Sequence, residues 1–390
     1  MNQEPHKEYV SIDFIDKSFR VCSKHKRGTD GYIEYSMNFI ENNYKLWIEL
    51  NTMTYEIGAS KAFCVTKPCL REVFCAAFRD RIVHTMLDIK FGPLLEEEFI
   101  QSAYACRKGK GTSYGVEDVR EQIRRVSKDY TVIAWALKGD MQGFFMSIVR
   151  LKLYYILEAT IRRKYHEADI EWWLWLWKKV VLHDPTKNCV KKGDLTLWSK
   201  LPKNKSLFTC GKGKGLPIGN LPSQMLENLL MSIFDKWVLG RIGKEGGYGR
   251  YVDDFVVISR DKKQLQQLLQ EARVFLREEL WLTLHPHKVY MQEARKGLRF
   301  TGVMIRPNRS LPNPRTIEHL YDVIDRFGMI ENPRGDTLQR YVNRINSLYG
   351  LLVHYDTYNV RRKAWSMMPH KERIYCVNMK KMKIKYNYKN

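Results

Sequence analysis

The sequence has 390 residues, 44% of them hydrophobic and 28% charged, the makeup of a folded globular chain long enough for two or three subdomains and a substantial core. Lys and Arg outnumber Asp and Glu by 66 to 43, a formal net charge of +23 that points to a polyanionic partner, most simply nucleic acid. No run of about 18 apolar residues exists, so no membrane span is expected; the polar start Met1-Asn2-Gln3-Glu4-Pro5-His6 lacks the apolar core of a signal peptide, and eight cysteines without any CxxC spacing give neither a zinc pattern nor a disulfide framework, which fits the reduced thiols of a cytoplasmic protein.

In chain order, residues 1–45 are mixed and polar and read as an arm or first helices. From Leu46 to Leu87 short apolar runs alternate with basic residues. Cys106-Arg107-Lys108-Gly109-Lys110-Gly111-Thr112 is a basic, glycine-rich loop, suited to phosphate contact or simply a solvated turn. Tyr130–Leu137 reads as a strand that delivers Lys138-Gly139-Asp140, after which Phe144, Phe145, Ile148 and Val149 recur at helical spacing. An acid at a strand end before a helix suits a metal ligand, and equally a helix cap. The run Trp172-Trp173-Leu174-Trp175-Leu176-Trp177 is too short to cross a bilayer and reads as a buried helix, with a partner-docking face as the alternative.

Residues 183–215, rich in Lys, Gly and Pro, read as irregular. Gly215-Leu216-Pro217-Ile218-Gly219-Asn220-Leu221-Pro222-Ser223-Gln224 then opens an amphipathic helix with Met225, Leu226, Leu229, Leu230, Ile233, Phe234, Trp237 and Val238 on one face. A second helix is expected near 262–280, with Asp261 as its N-cap, then strands around 298–305 and a helix near 337–352. This order of elements gives an α+β sheet domain followed by a basic, mostly helical C-terminal part; residues 361–390 carry ten Lys or Arg against one Glu.

Between these helices lies Gly249-Arg250-Tyr251-Val252-Asp253-Asp254-Phe255-Val256-Val257-Ile258, two β-prone runs around adjacent carboxylates. It reads as a hairpin with two acids at its tip. Adjacent carboxylates repel and favour cations between them. Magnesium takes hard oxygen ligands and keeps positions for phosphate oxygens, and a pair of such ions about 4 Å apart can clamp both oxygens of a phosphoryl transfer.

Taken together, the strand-end Asp140, the turn at 215–224, the acids Asp253 and Asp254 and the later segment Leu284-His285-Pro286-His287-Lys288 resemble the palm of reverse transcriptases. Asp140-Met141-Gln142-Gly143-Phe144-Phe145 is similar to the family's first carboxylate motif, and Tyr251-Val252-Asp253-Asp254 to its hairpin motif. Phe300-Thr301-Gly302 resembles the primer-grip turn, with Thr301 where Leu is usual, and Arg71 with Phe78-Arg79-Asp80-Arg81-Ile82-Val83-His84 resembles the fingers motif. Most of the family carry Gln-Gly-x-x-x-Ser-Pro before the palm helix. Here Ile218-Gly219-Asn220-Leu221-Pro222-Ser223-Gln224 resembles instead the reverse transcriptases of diversity-generating retroelements.

The resemblance implies a right-hand polymerase of α+β class. Residues 1–127 would form an N-terminal arm and fingers, 128–165 the first part of the palm, 166–213 a fingers insertion, 214–305 the second part of the palm, and 306–390 a basic helical thumb and tail. It implies Asp140, Asp253, Asp254 and Lys288 as catalytic residues and two Mg²⁺, with Mn²⁺ as the alternative, held by Asp140, Met141, Asp253 and Asp254. Arg71, Phe145, Ile218, Gly219 and Gln224 would meet the incoming nucleotide. The partners implied are template RNA, the RNA–cDNA duplex, dNTPs and a basic, oligomeric accessory variability determinant, in the cytoplasm of a bacterial host, chromosomal, prophage or phage encoded. A retron-like or group II intron-like enzyme, and a non-catalytic RNA-binding protein on a polymerase fold, are the alternatives; Ile218 and Gln224 argue against the first two and the intact acids against the third.

Overall fold

The computed structural model describes residues 7–67, 69–378 and 380–386. These fall into two compact units. The first comprises the described residues up to Cys106 with Gly139–Arg241 and Gln267–Val289; the second comprises Arg107–Lys138, Ile242–Gln266 and the described residues from Tyr290 onward. The elements are helices and predominantly antiparallel sheets, the expected α+β class. Among the described residues, no helix is long and apolar enough to cross a membrane.

In the first unit the polar N-terminal residues do form helices, Ile12–Cys22, Asp30–Ser36 and Phe39–Asn51. Ser11 caps the first by accepting from the Phe14 amide. These helices meet Phe78–Glu96 through a ring cluster in which Phe19 stacks on Phe39 at 5.4 Å and meets Phe78 edge-on. The tryptophan run lies on the helix Ile170–Leu182, with Trp172, Trp173 and Trp177 buried. Two of these indoles have partners, Trp172 Nε1 donating to the Leu50 carbonyl at 3.0 Å and Trp173 Nε1 to Asp169 at 2.8 Å, whereas Trp177 Nε1 is buried without a hydrogen-bond partner among the described residues. A three-stranded sheet places Arg71–Cys75 antiparallel to Ser60–Val65, with Cys189–Lys191 parallel on the other side.

Residues 183–215 are irregular as expected apart from that short strand and three 3-10 turns. What fixes them is a carboxylate. Glu72, 1% exposed, accepts from Trp198 Nε1 at 2.7 Å, Ser206 Oγ at 2.8 Å and the Leu207 amide at 2.7 Å.

Three expectations are corrected. The strand before Asp140 is Trp135–Asp140, not Tyr130 onward. Residues Lys128, Asp129 and Tyr130 all take positive φ in a turn that ends the helix Thr112–Val126, with Ser127 Oγ accepting from the Tyr130 amide at 2.9 Å and Arg124 pairing with Asp129 at 2.8 Å. Local side-chain bonds there override β propensity. Next, Phe144–Val149 is not one helix: it breaks after Phe144–Ser147, where Ile148 and Val149 turn extended, and resumes as Arg150–Lys164. Finally, the helix Leu221–Ile242 is not one-faced. Glu227, Asn228 and Asp235 are buried with its apolar residues, and Asn228 donates to the Ala105 carbonyl at 3.0 Å.

The second unit contains a four-stranded sheet in the order Gly247–Tyr251, Asp254–Ser259, Trp135–Asp140, Tyr290–Glu293, although the last two residues of Trp135–Asp140 fall in the first unit. Thr112–Val126 is bolted to it: Gln122 accepts from the Tyr248 amide at 2.6 Å, and Arg260 Nε donates to the Val126 carbonyl at 2.6 Å. Asp261 caps Lys262–Phe275 as expected, accepting from the amides of Lys263 at 2.8 Å and Gln264 at 3.2 Å; beyond Phe275 the helix widens into one π-helical turn, Leu276–Leu280. The strands Leu298–Phe300, Val303–Arg306 and Arg309–Pro312 form a meander. Helices Pro314–Gly328, Gly335–Leu352 and Tyr358–Ser366 and the hairpin Ile374–Asn378/Lys383–Tyr386 enclose a further core around Leu320, Phe327, Val342, Ile345 and Tyr349.

Glu72→Ala leaves three donors without this acceptor, two of them buried and one, Trp198 Nε1, half-buried, so it is expected to lower stability by about 3 kcal/mol in urea unfolding. It should also open residues 192–209 to limited proteolysis; unchanged cleavage there would show that the segment is fixed by other contacts.

Candidate active site

The acidic hairpin is the antiparallel pair Gly247–Tyr251 and Asp254–Ser259, closed by the pair Tyr251–Asp254 with Val252 and Asp253 as the two turn residues. Val252 sits at φ +57°, a left-handed conformation costly for a β-branched residue, on the order of 1–3 kcal/mol. A fully buried guanidinium supports it: Arg250 Nη1 donates to the Val252 carbonyl at 2.9 Å. On the neighbouring strand Lys138 reaches across, its Nζ 2.9 Å from Asp254 Oδ2, both side chains about a fifth exposed. The sequence reading gave roles to neither Arg250 nor Lys138. Strand parity contained the signal for the latter, since Lys138 and Asp140 lie two residues apart and share a face.

In the first unit Asp140 ends its strand. Its carbonyl accepts from the His285 amide at 2.8 Å while the Gln142 amide donates to the Thr283 carbonyl at 2.8 Å, so Met141 faces Leu284 in a bridge that does not use its own backbone groups. Through that bridge the segment carrying Lys288 is brought to Asp140, and Lys288 Nζ stands 3.0 and 3.2 Å from the two carboxylate oxygens.

The residues expected at the nucleotide are also in the first unit. Phe145 and Ile218 pack against one apolar cluster with Ala62, Phe74, Met146 and Leu207. The Ile218 carbonyl accepts from the Phe74 amide at 2.8 Å. Gly219, at φ +111°, permits this approach, because a Cβ there would lie 2.6 Å from the Phe74 carbonyl oxygen. Arg71 opens the same strand as Phe74 and is exposed, its Nε 3.2 Å from Cys69 Sγ. Gln224 is exposed in the first turn of Leu221–Ile242.

In the fingers-like segment, Asp80 is buried and accepts from Tyr55 Oη at 2.7 Å and the Gly58 amide at 3.0 Å; burial pushes its carboxyl pKa up despite those donors. Arg81 Nε donates to the Ala76 carbonyl at 3.0 Å. Burial, reinforced by His183 and Arg81, depresses His84 to about 3.

Carboxylate oxygens are the hard donors that a divalent magnesium-class ion takes, and Asp140 and Asp254 each already attract a cationic ammonium. Asp253 and Asp254 in the second unit, and Asp140 in the first, each carry donors of this kind; among the described residues no three acidic, His or Cys side chains are gathered into a cluster.

An acidic hairpin within a small antiparallel sheet is a feature found in nucleotide-polymerase palms. The chain belongs to the reverse transcriptase (RNA-dependent DNA polymerase) family, whose model matches residues 69–305, well over half of the chain. Protein YkfC of Escherichia coli (strain K12) is 23% identical over 272 residues, covering 62% of this chain and 64% of that protein. Among solved structures, apo telomerase from Candida Tropicalis is similar with a TM-score of 0.49 and 10% identity over 80% of this chain and 56% of that one. Telomerase from Candida albicans with a TWJ fragment of telomeric RNA gives 0.47 and 10% over 82% and 56%. The chain thus spans under two thirds of the length of each of these proteins.

His84 and His183 both titrate below their ordinary range, so the unfolded chain binds protons that the folded one refuses as pH falls below about 6.5. Stability is full above that value and declines on acidification. His84→Leu is expected to reduce the slope of unfolding free energy against pH between pH 6.5 and 5 by close to one proton, read from denaturant curves; an unaltered slope would place the proton uptake elsewhere.

Proposed function

We propose that this chain is the RNA-directed DNA polymerase of a diversity-generating retroelement, copying a template-repeat RNA into cDNA with errors concentrated at template adenines. The observation that carries the reading is Ile218, an apolar residue where most of the family carry glutamine, set beside Phe145 in one apolar cluster. The net charge of +23 supports a partner with a phosphate backbone, held largely without sequence readout. Template choice then falls to RNA shape and to a basic, oligomeric accessory variability determinant, and the setting is the cytoplasm of a bacterial host.

Asp140 and Asp253 are the metal-holding carboxylates, with Asp254 and the Met141 carbonyl supporting. Held there, two Mg²⁺, or Mn²⁺, would lower the pKa of the primer 3′-hydroxyl and neutralise charge at the triphosphate and departing pyrophosphate. Lys288 lies on the Asp140 carboxylate with its ammonium largely exposed, so it can exchange that partner for a phosphate oxygen. Arg71 offers an exposed guanidinium fork to the triphosphate. Phe145 excludes a 2′-hydroxyl by bulk, which selects dNTPs. Gly219 brings the backbone of its loop close to the Phe74 strand, and Gln224 completes the nucleotide-side set. Ile218 cannot hydrogen-bond an incoming nucleotide, so less binding energy depends on correct pairing.

Asp253→Asn with Asp254→Asn is expected to abolish dNTP incorporation while template RNA binding stays within a fewfold of wild type, because carboxylates hold metal and cations elsewhere hold RNA. Near-normal primer extension by this double variant would sink the palm assignment.

Each 1.4 kcal/mol of discrimination is about tenfold in rate, and a hydrogen bond contributes about 1 kcal/mol. Ile218→Gln is therefore expected to lower misincorporation at template adenines by several-fold or more, measured by sequencing cDNA made by both proteins on one template at equal dNTP supply. An unchanged adenine error rate would make Ile218 a packing residue of its apolar cluster.

A further inference from the structure

The polymerase chemistry leaves unused a surface of the first unit centred on Trp281. The π-helical turn Leu276–Leu280 ends there, and the Trp281 amide donates back to the Leu276 carbonyl with φ +55° and ψ +32°. Glycine is the usual occupant of such a left-handed helix end, because a side chain there is strained. Packing does not offset the strain: Trp281 is 56% exposed and is the one exposed residue among the ten tryptophans of the chain. Neither backbone geometry nor core burial accounts for an indole at this place.

Its surroundings have a definite chemistry. Trp281 borders an open groove of about 680 Å³ shared with Leu151, Lys212 and Lys214, within the range of about 300–1,000 Å³ usual for ligand sites. Lys152 Nζ lies 4.4 Å from the centre of the indole. Tyr155, one helical turn beyond Leu151, is also exposed and adds a second π-face. Among the described residues, Lys152, Lys212 and Lys214 have no carboxylate partner; of the acids near them in sequence, Asp184 pairs with Arg150 at 3.2 Å and Glu278 with Arg277 at 3.1 Å, while Glu279 is exposed and pairs with none of the three lysines. Exposed aromatic faces among unpaired cations match the alternation of base and phosphate along a single strand, where unstacked bases are free to lie on a ring. A duplex would hide those faces, and an apolar protein surface would leave the three ammonium groups unanswered.

We propose that the groove beside Trp281 is a binding site for single-stranded RNA, with one base stacked on the Trp281 indole and flanking phosphates held by Lys152, Lys212 and Lys214. The site is additional to the polymerase centre. It fits an unpaired stretch of a structured RNA.

The test uses the full chain and a 20-nucleotide oligouridylate carrying 5-iodouridine. Irradiation is expected to attach it to the tryptic peptide Glu278–Lys288. Trp281→Asn, which tolerates the left-handed backbone, and Trp281→Gly, which relaxes it, should both lose that adduct and bind the oligonucleotide about 5- to 100-fold more weakly, as expected for one lost stacking contact. Lys212→Ala with Lys214→Ala should lower the slope of log affinity against log salt by about 1.4, roughly 0.7 for each phosphate contact. Extension of a short pre-annealed primer–template should be unchanged in all of these variants, which separates this site from the polymerase reading. Cross-links confined to other peptides, or wild-type affinity in both Trp281 variants, would overturn the proposal. So would a loss of self-association in those variants while oligouridylate binding holds, which would make the face a protein contact.

Discussion

Two carboxylates placed side by side at a two-residue turn repel one another, and the turn keeps its shape only if positive charge is held against it from outside. In this chain that charge comes from two strands: Lys138 on the neighbouring strand meets Asp254 directly, and the buried Arg250, on the hairpin's own first strand, grips the carbonyl of the strained Val252. Both cations are fixed in turn by the sheet, and the sheet by the helix Thr112–Val126, whose Gln122 reaches the backbone of the hairpin's first strand. A hairpin that looks local in sequence is therefore maintained by residues more than a hundred positions away.

The first unit applies the reverse arrangement, with single buried carboxylates organising chain that has no regular structure of its own. Glu72 gathers three donors from the segment after the tryptophan helix, and Asp80 ties Tyr55 and Gly58 to the start of its helix. Glu98 shows what sets the balance. Burial alone would push its pKa up, yet Lys236, Lys164 and Arg163 together bring it down to about 2. A buried acid with enough donors is a clamp, whereas one without them is a liability.

Elements whose cause is local were legible in the sequence. The acid-bearing hairpin followed from the β-prone runs flanking Asp253 and Asp254, the cap at Asp261 from residue type and position, and the buried tryptophan helix from its unbroken apolar run. Legibility failed where a distant or side-chain partner decides the outcome. Nothing in Tyr130–Ala134 announces that Ser127 and Arg124 will fold the preceding residues into a turn. Nor does the pattern of Leu221–Ile242 reveal that Glu227 and Asp235 go inside, because it records which residues are apolar and not which polar ones find partners. At the site, Asp140 and the hairpin acids stood out by type, while Lys138 needed the register of a neighbouring strand to acquire meaning.

The contact between Ile218 and Phe74 has a consequence unrelated to nucleotides. Arg71–Cys75 is the outermost strand of its sheet, with Ser60–Val65 on one side. An outer strand offers unsatisfied amides to any other chain that can add to it. Here the Phe74 amide is already taken by the Ile218 carbonyl, an approach open only because residue 219 lacks a side chain. The loop thus acts as a lid on an open sheet edge. A residue with a Cβ at that position would push the loop away and uncover that edge, turning a defect in one turn into a seed for aggregation.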